Sequence, residues 1–105
     1  MKIAMLAWES MQSIAVGGIA PHVTELALAL NARGHEVHVF TRKKENQRRY
    51  DLIEGVHYHR CAYDYNPDFL IDMANMADSF YRRLAEVEAS RAVRNTATRR
   101  AAAPS

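Results

Sequence analysis

One cysteine among 105 residues excludes an intramolecular disulfide. A lone thiol fits a reducing compartment. No apolar run approaches the ~20 residues of a membrane span. Six apolar residues follow Lys2 and stop at Glu9. That run is shorter than the ~7–15-residue core of a signal peptide. These absences point to a cytoplasmic protein without membrane contact. Acid is missing from the tail "RAVRNTATRRAAAPS" (91–105), which holds four arginines. The first 90 residues hold ten Lys/Arg against twelve Asp/Glu, so the net charge of +2 resides in the tail. Interleaved aromatics are lacking both there and in the basic run "RKKENQRR" (42–49). Nucleic-acid stacking needs such aromatics, so that class of partner is not expected, and 42–49 reads as a solvated loop. There are no internal repeats.

The composition that remains is that of a globular domain: 49% hydrophobic and 25% charged. "KIAMLAW" (2–8) is a continuous apolar run, as in a strand covered on both faces. A loop (9–18) closes on Gly17-Gly18. Ile19, Val23, Leu26, Ala27 and Leu30 then fall on one helical face, with Gly18 as N-cap and Gly34 as the stop. "HEVHVFT" (35–41) reads as a second strand. Strand, helix and strand make a βαβ unit with parallel strands. "EGVHYHRC" (54–61) follows Gly55 as a third, alternating strand. Val56, Tyr58 and Arg60 share one face, and His57, His59 and Cys61 the other. Cys61 reads as a small hydrophobe rather than a nucleophile. After Asn66-Pro67 a second helix starts at Asp68, with Phe69, Met73, Met76, Phe80, Leu84 and Val87 as its core stripe. Beyond Ser90 large apolar residues vanish except Val93, so 91–105 reads as a helical extension or a disordered basic end.

The fold class is therefore α/β: a partial Rossmann-like parallel sheet in the order β-α-β-β-α over residues 1–90, with a separate Ala/Arg tail over 91–105. A helix start leaves N–H groups without partners, and its dipole favours an anion. Glycine admits close approach of a ligand to the backbone. Gly17, Gly18 and the N–H of Ile19 are thus candidates to cradle a diphosphate. Shaping the turn and capping the helix explains the two glycines equally well. A nicotinamide or flavin domain is disfavoured. It wants Gly-x-Gly-x-x-Gly tightly after the first strand and an acid ending the second, where this chain has Thr41-Arg42. No Gly-Lys-Ser/Thr occurs, which excludes a Walker phosphate loop. His57-x-His59 and His35-x-x-His38 lack further ligands for a metal site.

"MKIAMLAWES", "VGGIAPHVTELALALNARGHEVHVFTR" and "EGVHYHRC" together resemble the start of glycosyltransferase family 4, nearest its glycogen-synthase-like members. The likeness covers about residues 1–85. It implies the GT-B fold, in which two Rossmann-like domains face each other across a cleft. It also implies transfer of sugar from a nucleotide-sugar donor to a carbohydrate acceptor, with retention and without a metal or other cofactor. On the same resemblance, Gly17 and Gly18 match the loop that approaches the donor diphosphate. Trp8 and Glu9 match the end of the first strand on the acceptor side, where Glu9 is a candidate base for an acceptor hydroxyl. His22 matches a frequent histidine in the first helical turn, whose simpler role is packing or hydrogen bonding under the loop. Bacterial glycogen synthases carry Lys-Thr-Gly-Gly where this chain has Ala15-Val16-Gly17-Gly18, so members with other acceptors fit as well.

The quoted pattern fades near residues 86–91, and the family's donor-binding domain is not among these residues. The resemblance therefore leads to the expectation of a truncated or frame-shifted acceptor-side domain, inactive alone, in which a carboxylate such as Glu9 is solvated. In the family's strand order 3-2-1-4 the first strand then becomes an edge. Such an edge invites self-association. The alternative is a small module that binds a phosphate or sugar ligand, or a protein partner, without catalysis.

Overall fold

The computed structural model describes residues 1–11 and 19–102, with side chains over 1–11 and 20–90. Four strands form one sheet: β1 (Lys2–Leu6), β2 (Glu36–Arg42), β3 (Tyr50–Ile53) and β4 (Val56–Cys61). Helix α1 (Ile19–Ala32) joins β1 to β2, and helix α2 (Phe69–Ala102) follows β4. The spatial order is β1-β2-β4-β3. β1 runs parallel to β2 and β2 parallel to β4, while β3 is antiparallel to β4. The partial Rossmann-like α/β class holds, and β1 lies at an edge of the sheet.

Local chemistry accounts for the element ends. Gly34 takes φ +91, which a glycine adopts without strain. Its N–H donates to the Asn31 carbonyl at 3.0 Å, and the His35 N–H donates to the Leu30 carbonyl at 3.2 Å. This pair of bonds is a Schellman ending for α1. Glu54 and Gly55 both have positive φ, 51 and 82. Two such residues make the tight hairpin turn whose twist matches paired strands. Asp68 caps α2 by accepting from the N–H groups of Leu70 (3.0 Å) and Ile71 (3.3 Å).

The two faces of the sheet are packed differently. Under α1 lie Val37, Val39, Val56 and Tyr58, closed by Val23 and Ala27. Under α2 lie Phe40 and Cys61, closed by Met76 and Phe80. The alternation expected for 56–61 is observed: Val56 and Tyr58 belong to the first cluster and Cys61 to the second.

Four expectations need correction. β1 is not covered on both faces: Ala4 and Leu6 on one face are exposed, while Ile3 and Met5 on the other are half-buried. β3 was not anticipated, because "YDLI" is too short to carry a period of its own and exists only through pairing with β4. Leu26 is 43% exposed, because α1 is rotated so that its small residues Ala20 and Ala27 meet the sheet. Small residues there allow close approach of helix and strands. Phe69 is 61% exposed, because it sits on the first turn of α2 beyond the edge of the core. α2 itself passes residue 90 without a break. At ~1.5 Å per residue its length is about 50 Å, which dominates a long dimension of 58 Å. No helix among the described residues is long and apolar enough to cross a membrane.

Candidate functional site

The parallel strands β1, β2 and β4 all end at one edge of the sheet. In open α/β sheets ligands bind outside that edge. The ladder continues briefly past the strand ends. The Ala7 N–H donates to the Phe40 carbonyl and the Lys43 N–H to the Cys61 carbonyl, both at 3.0 Å. At Trp8 the chain turns away. The Arg42 Nε–H donates to the Trp8 carbonyl at 2.9 Å, and its guanidinium carbon lies 5.9 Å from the indole centroid. The Phe69 ring stands 6.1 Å from Trp8 at a 47° tilt. The indole nevertheless stays 45% exposed. The ends of β1 and β2 and the start of α2 thus bring two aromatic rings and a fixed cation together.

Beyond Trp8 the chain enters the protein. Glu9 is 7% exposed and Ser10 fully buried, and both residues are engaged with neighbours. Glu9 is therefore not the solvated carboxylate expected from the sequence, because the chain folds back against α1 directly after Trp8. The Met11 N–H donates to Thr24 Oγ1 at 3.0 Å, and the Thr24 hydroxyl donates to the Ala20 carbonyl at 3.0 Å. This anchors the first part of the loop to the first turns of α1. Gly17 and Gly18 lie outside the described residues. Ile19 opens α1, and His22 is exposed on its first turn. Of the predicted site residues, Trp8, Glu9 and the start of α1 are thus neighbours in the chain path at this edge.

A second concavity of about 660 Å³ lies between the end of β4 and α2, lined by Tyr63, Asp64, Ser79, Arg82, Arg83 and Glu86 among others. Three of the arginines that line it, Arg60, Arg82 and Arg83, are already partnered. Arg82 pairs with Asp78 at 2.8 Å, and Arg83 with Glu86 at 3.2 Å. Arg60 pairs with Asp51, whose carboxyl is held below its ordinary range chiefly by that hydrogen bond. An anion entering this groove would compete with the protein's own carboxylates. Among the described residues, no group of three His, Cys, Asp or Glu side chains is placed to hold a metal ion.

Sequence reasoning missed Arg42 and Phe69 as members of the edge cluster. The signal was present for Arg42, a base where a dinucleotide domain has an acid. For Phe69 it was hidden, since its spacing continued the core stripe. It also missed a polar seam under α2 containing His38, His59 and Arg83.

No curated protein and no solved structure matches this chain. Residues 17–104 match the glycosyl transferase 4-like domain. That span includes the loop glycines, all of α1 and α2, and most of the Ala/Arg-rich segment. The segment was expected to fall outside the family pattern, and the match instead runs through it. Matching over most of its length, the chain belongs to the glycosyl transferase 4-like family.

Proposed function

We propose that this chain forms the acceptor-side, Rossmann-like part of a retaining glycosyltransferase that uses a nucleotide-sugar donor, in the manner of glycogen-synthase-like enzymes. Family membership supports glycosyl transfer as the chemistry. The observation that carries the assignment of side is the exposed Trp8 with Phe69 and Arg42 at the carboxyl edge of β1 and β2. Such a surface offers aromatic faces to the C–H side of a sugar ring and a guanidinium to its hydroxyls. In this reading Gly17, Gly18 and the N–H of Ile19 approach the donor diphosphate. The helix dipole and free amides would stabilise the departing nucleoside diphosphate. His22 stands on the same helical turn and reaches the donor or the acceptor.

The 105 residues do not transfer sugar alone, since one wall of a cleft cannot hold donor and acceptor in line. The test compares the chain alone with the chain joined to the donor-side domain of a complete family member. Nucleotide-sugar consumption is expected only in the joined protein, and to be lost in its Gly18→Val variant. Turnover by the 105 residues alone would reject the claim of inactivity. An inert joined protein that is folded would reject the acceptor-side assignment.

A second reading, a sugar- or phosphate-binding module without catalysis, is favoured by the burial of Glu9. That burial takes the nearest candidate base out of solvent. Saturable binding of a sugar nucleotide, with no transfer by the joined protein, is the result expected from it.

A further inference from the structure

The face of the sheet beneath α2 carries a polar seam that the transfer chemistry does not use. Arg83 of α2 donates its Nε–H to Nδ1 of His59 on β4, at 3.2 Å. Nε2 of His59 lies 2.8 Å from Nδ1 of His38 on β2. Nε2 of His38 lies 2.9 Å from a carboxylate oxygen of Glu36. Only one assignment of protons satisfies all three contacts. A guanidinium only donates, so His59 Nδ1 must accept and its proton sits on Nε2. His38 Nδ1 then accepts, and the His38 proton sits on Nε2, pointing at the Glu36 carboxylate. Arg83, His59, His38 and Glu36 form a chain that donates in one direction, with both rings neutral.

A proton has no favourable place to enter this chain. Added to His59, it would set an N–H against the Arg83 N–H. Added to His38 at Nδ1, it would set an N–H against that of His59. Solvent cannot relieve the clash, since His59 is only 2% exposed. The surroundings do not welcome the charge either. The His57 ring stacks on His38 at 4.3 Å, and Phe40 stacks on His59 at 4.6 Å. Tyr50 of β3 holds His57 through its hydroxyl at 2.6 Å from Nδ1. The acids in reach are Glu36, half-buried at the outer end, and Glu86, which is bound to the far side of Arg83. Lys2 of β1 stands in register beside Glu36 and adds positive charge there. Burial, together with Arg83, His38 and His57, pushes His59 down to about 3, in accord with the hydrogen-bond logic.

The geometry points to an acid-sensitive latch between α2 and the sheet: the one-way chain from Arg83 through His59 and His38 to Glu36 closes at neutral pH and opens on proton uptake, releasing α2. The latch acts on the helix that, among the described residues, covers Phe40 and Cys61. It also reaches the carboxyl edge, because Phe69 on the first turn of α2 packs against Trp8. Opening would separate that aromatic pair. The latch holds whichever ligand the edge takes.

Trp8 is the single tryptophan in the chain, so its emission reports the pair without labelling. The first measurement is the ring tautomer at neutral pH, by long-range ¹⁵N–¹H correlation. Both His59 and His38 are expected as Nε2–H, and an Nδ1–H form of either ring overturns the proposal. The second is Trp8 emission together with amide exchange of residues 76–86, between pH about 7.5 and about 4.5. After correction for intrinsic rates, α2 protection is expected to fall by up to about tenfold per pH unit, ahead of α1. Equal loss in both helices, or none, overturns it. His59→Phe keeps a ring against Phe40 and removes the titrating group. A folded variant is expected to lose the pH response, and a retained response rejects the latch. If that variant does not fold, the tautomer measurement still decides. His22→Gln serves as the exposed control and is expected to respond as the parent does.

Discussion

The two faces of one sheet differ more than the two helices that cover them. The α1 face is chiefly aliphatic, built from Val23, Ala27, Val37, Val39 and Val56 with the Tyr58 ring. The α2 face is drawn from the alternate residues of the same strands. It mixes Phe40, Met76 and Phe80 with a run of imidazoles and a guanidinium. Burial of apolar area near α1 depends little on pH, whereas hydrogen-bonded neutral histidines under α2 do. One face thus supplies steady adhesion, and the other makes adhesion conditional on protonation.

The largest test of this contrast removes the apolar anchor of the conditional face. Phe80→Ala is expected to destabilise the chain by about 3–5 kcal/mol. In a domain of this size that leaves α2 undocked at neutral pH, as read by urea unfolding and by Trp8 emission. A loss under about 1 kcal/mol would mean that the polar seam rather than Phe80 holds the helix.

Next in size is the hairpin turn that α1 grips from the other side. Gly55 has φ +82, and a Cβ there would clash with Asn31 Nδ2. That amide donates to the Glu54 carbonyl at 3.2 Å. Gly55→Val is expected to cost more than about 1 kcal/mol in thermal unfolding. Adding Asn31→Ala should relieve the contact but not the backbone strain, so recovery is partial. Full recovery would show that φ contributes nothing.

The pH dependence tests the conditional face directly. His59 titrates near its ordinary 6.5 when unfolded and is lowered to about 3 when folded, so the unfolded chain binds the extra proton. Its contribution to stability is therefore complete above about 6.5 and is lost progressively as the pH falls from there towards 3. Denaturant midpoints at stepped pH check this. A midpoint that rises on acidification would contradict it.

Smaller still is the reactivity of Cys61. Burial raises its thiol to about 11, so little thiolate exists at pH 8. Labelling by a disulfide reagent should be slow in the native chain and fast in urea. The smallest effect belongs outside both faces. Leu26→Lys on the exposed side of α1 is expected to change stability by no more than about 0.5 kcal/mol.

What could be read from the residues depended on range. A continuous apolar run placed β1, and patterning placed α1, β2, β4 and the start of α2, because each carries its own signal over enough residues. Patterning also separated Val56 and Tyr58 from His57, His59 and Cys61. β3 escaped because four residues cannot show a period and their structure comes from a partner strand. The rotation of α1 escaped because Leu26 looked more hydrophobic than Ala20 or Thr24, while close helix–sheet contact selected the small side chains. At the candidate site, Trp8 and Glu9 were singled out in advance, but the direction of each was not. The contact of Arg42 with Trp8 spans 34 positions, and that of His38 with His59 spans 21. Such pairs are set by strand register, which no local window contains.

β1 hydrogen-bonds to β2 alone among the described residues, and its five positions include a single charge, Lys2. Whatever adds a strand there behaves as a ligand of the folded form, so apparent stability would carry a mass-action term. If a second copy is that ligand, the melting temperature should climb with protein concentration.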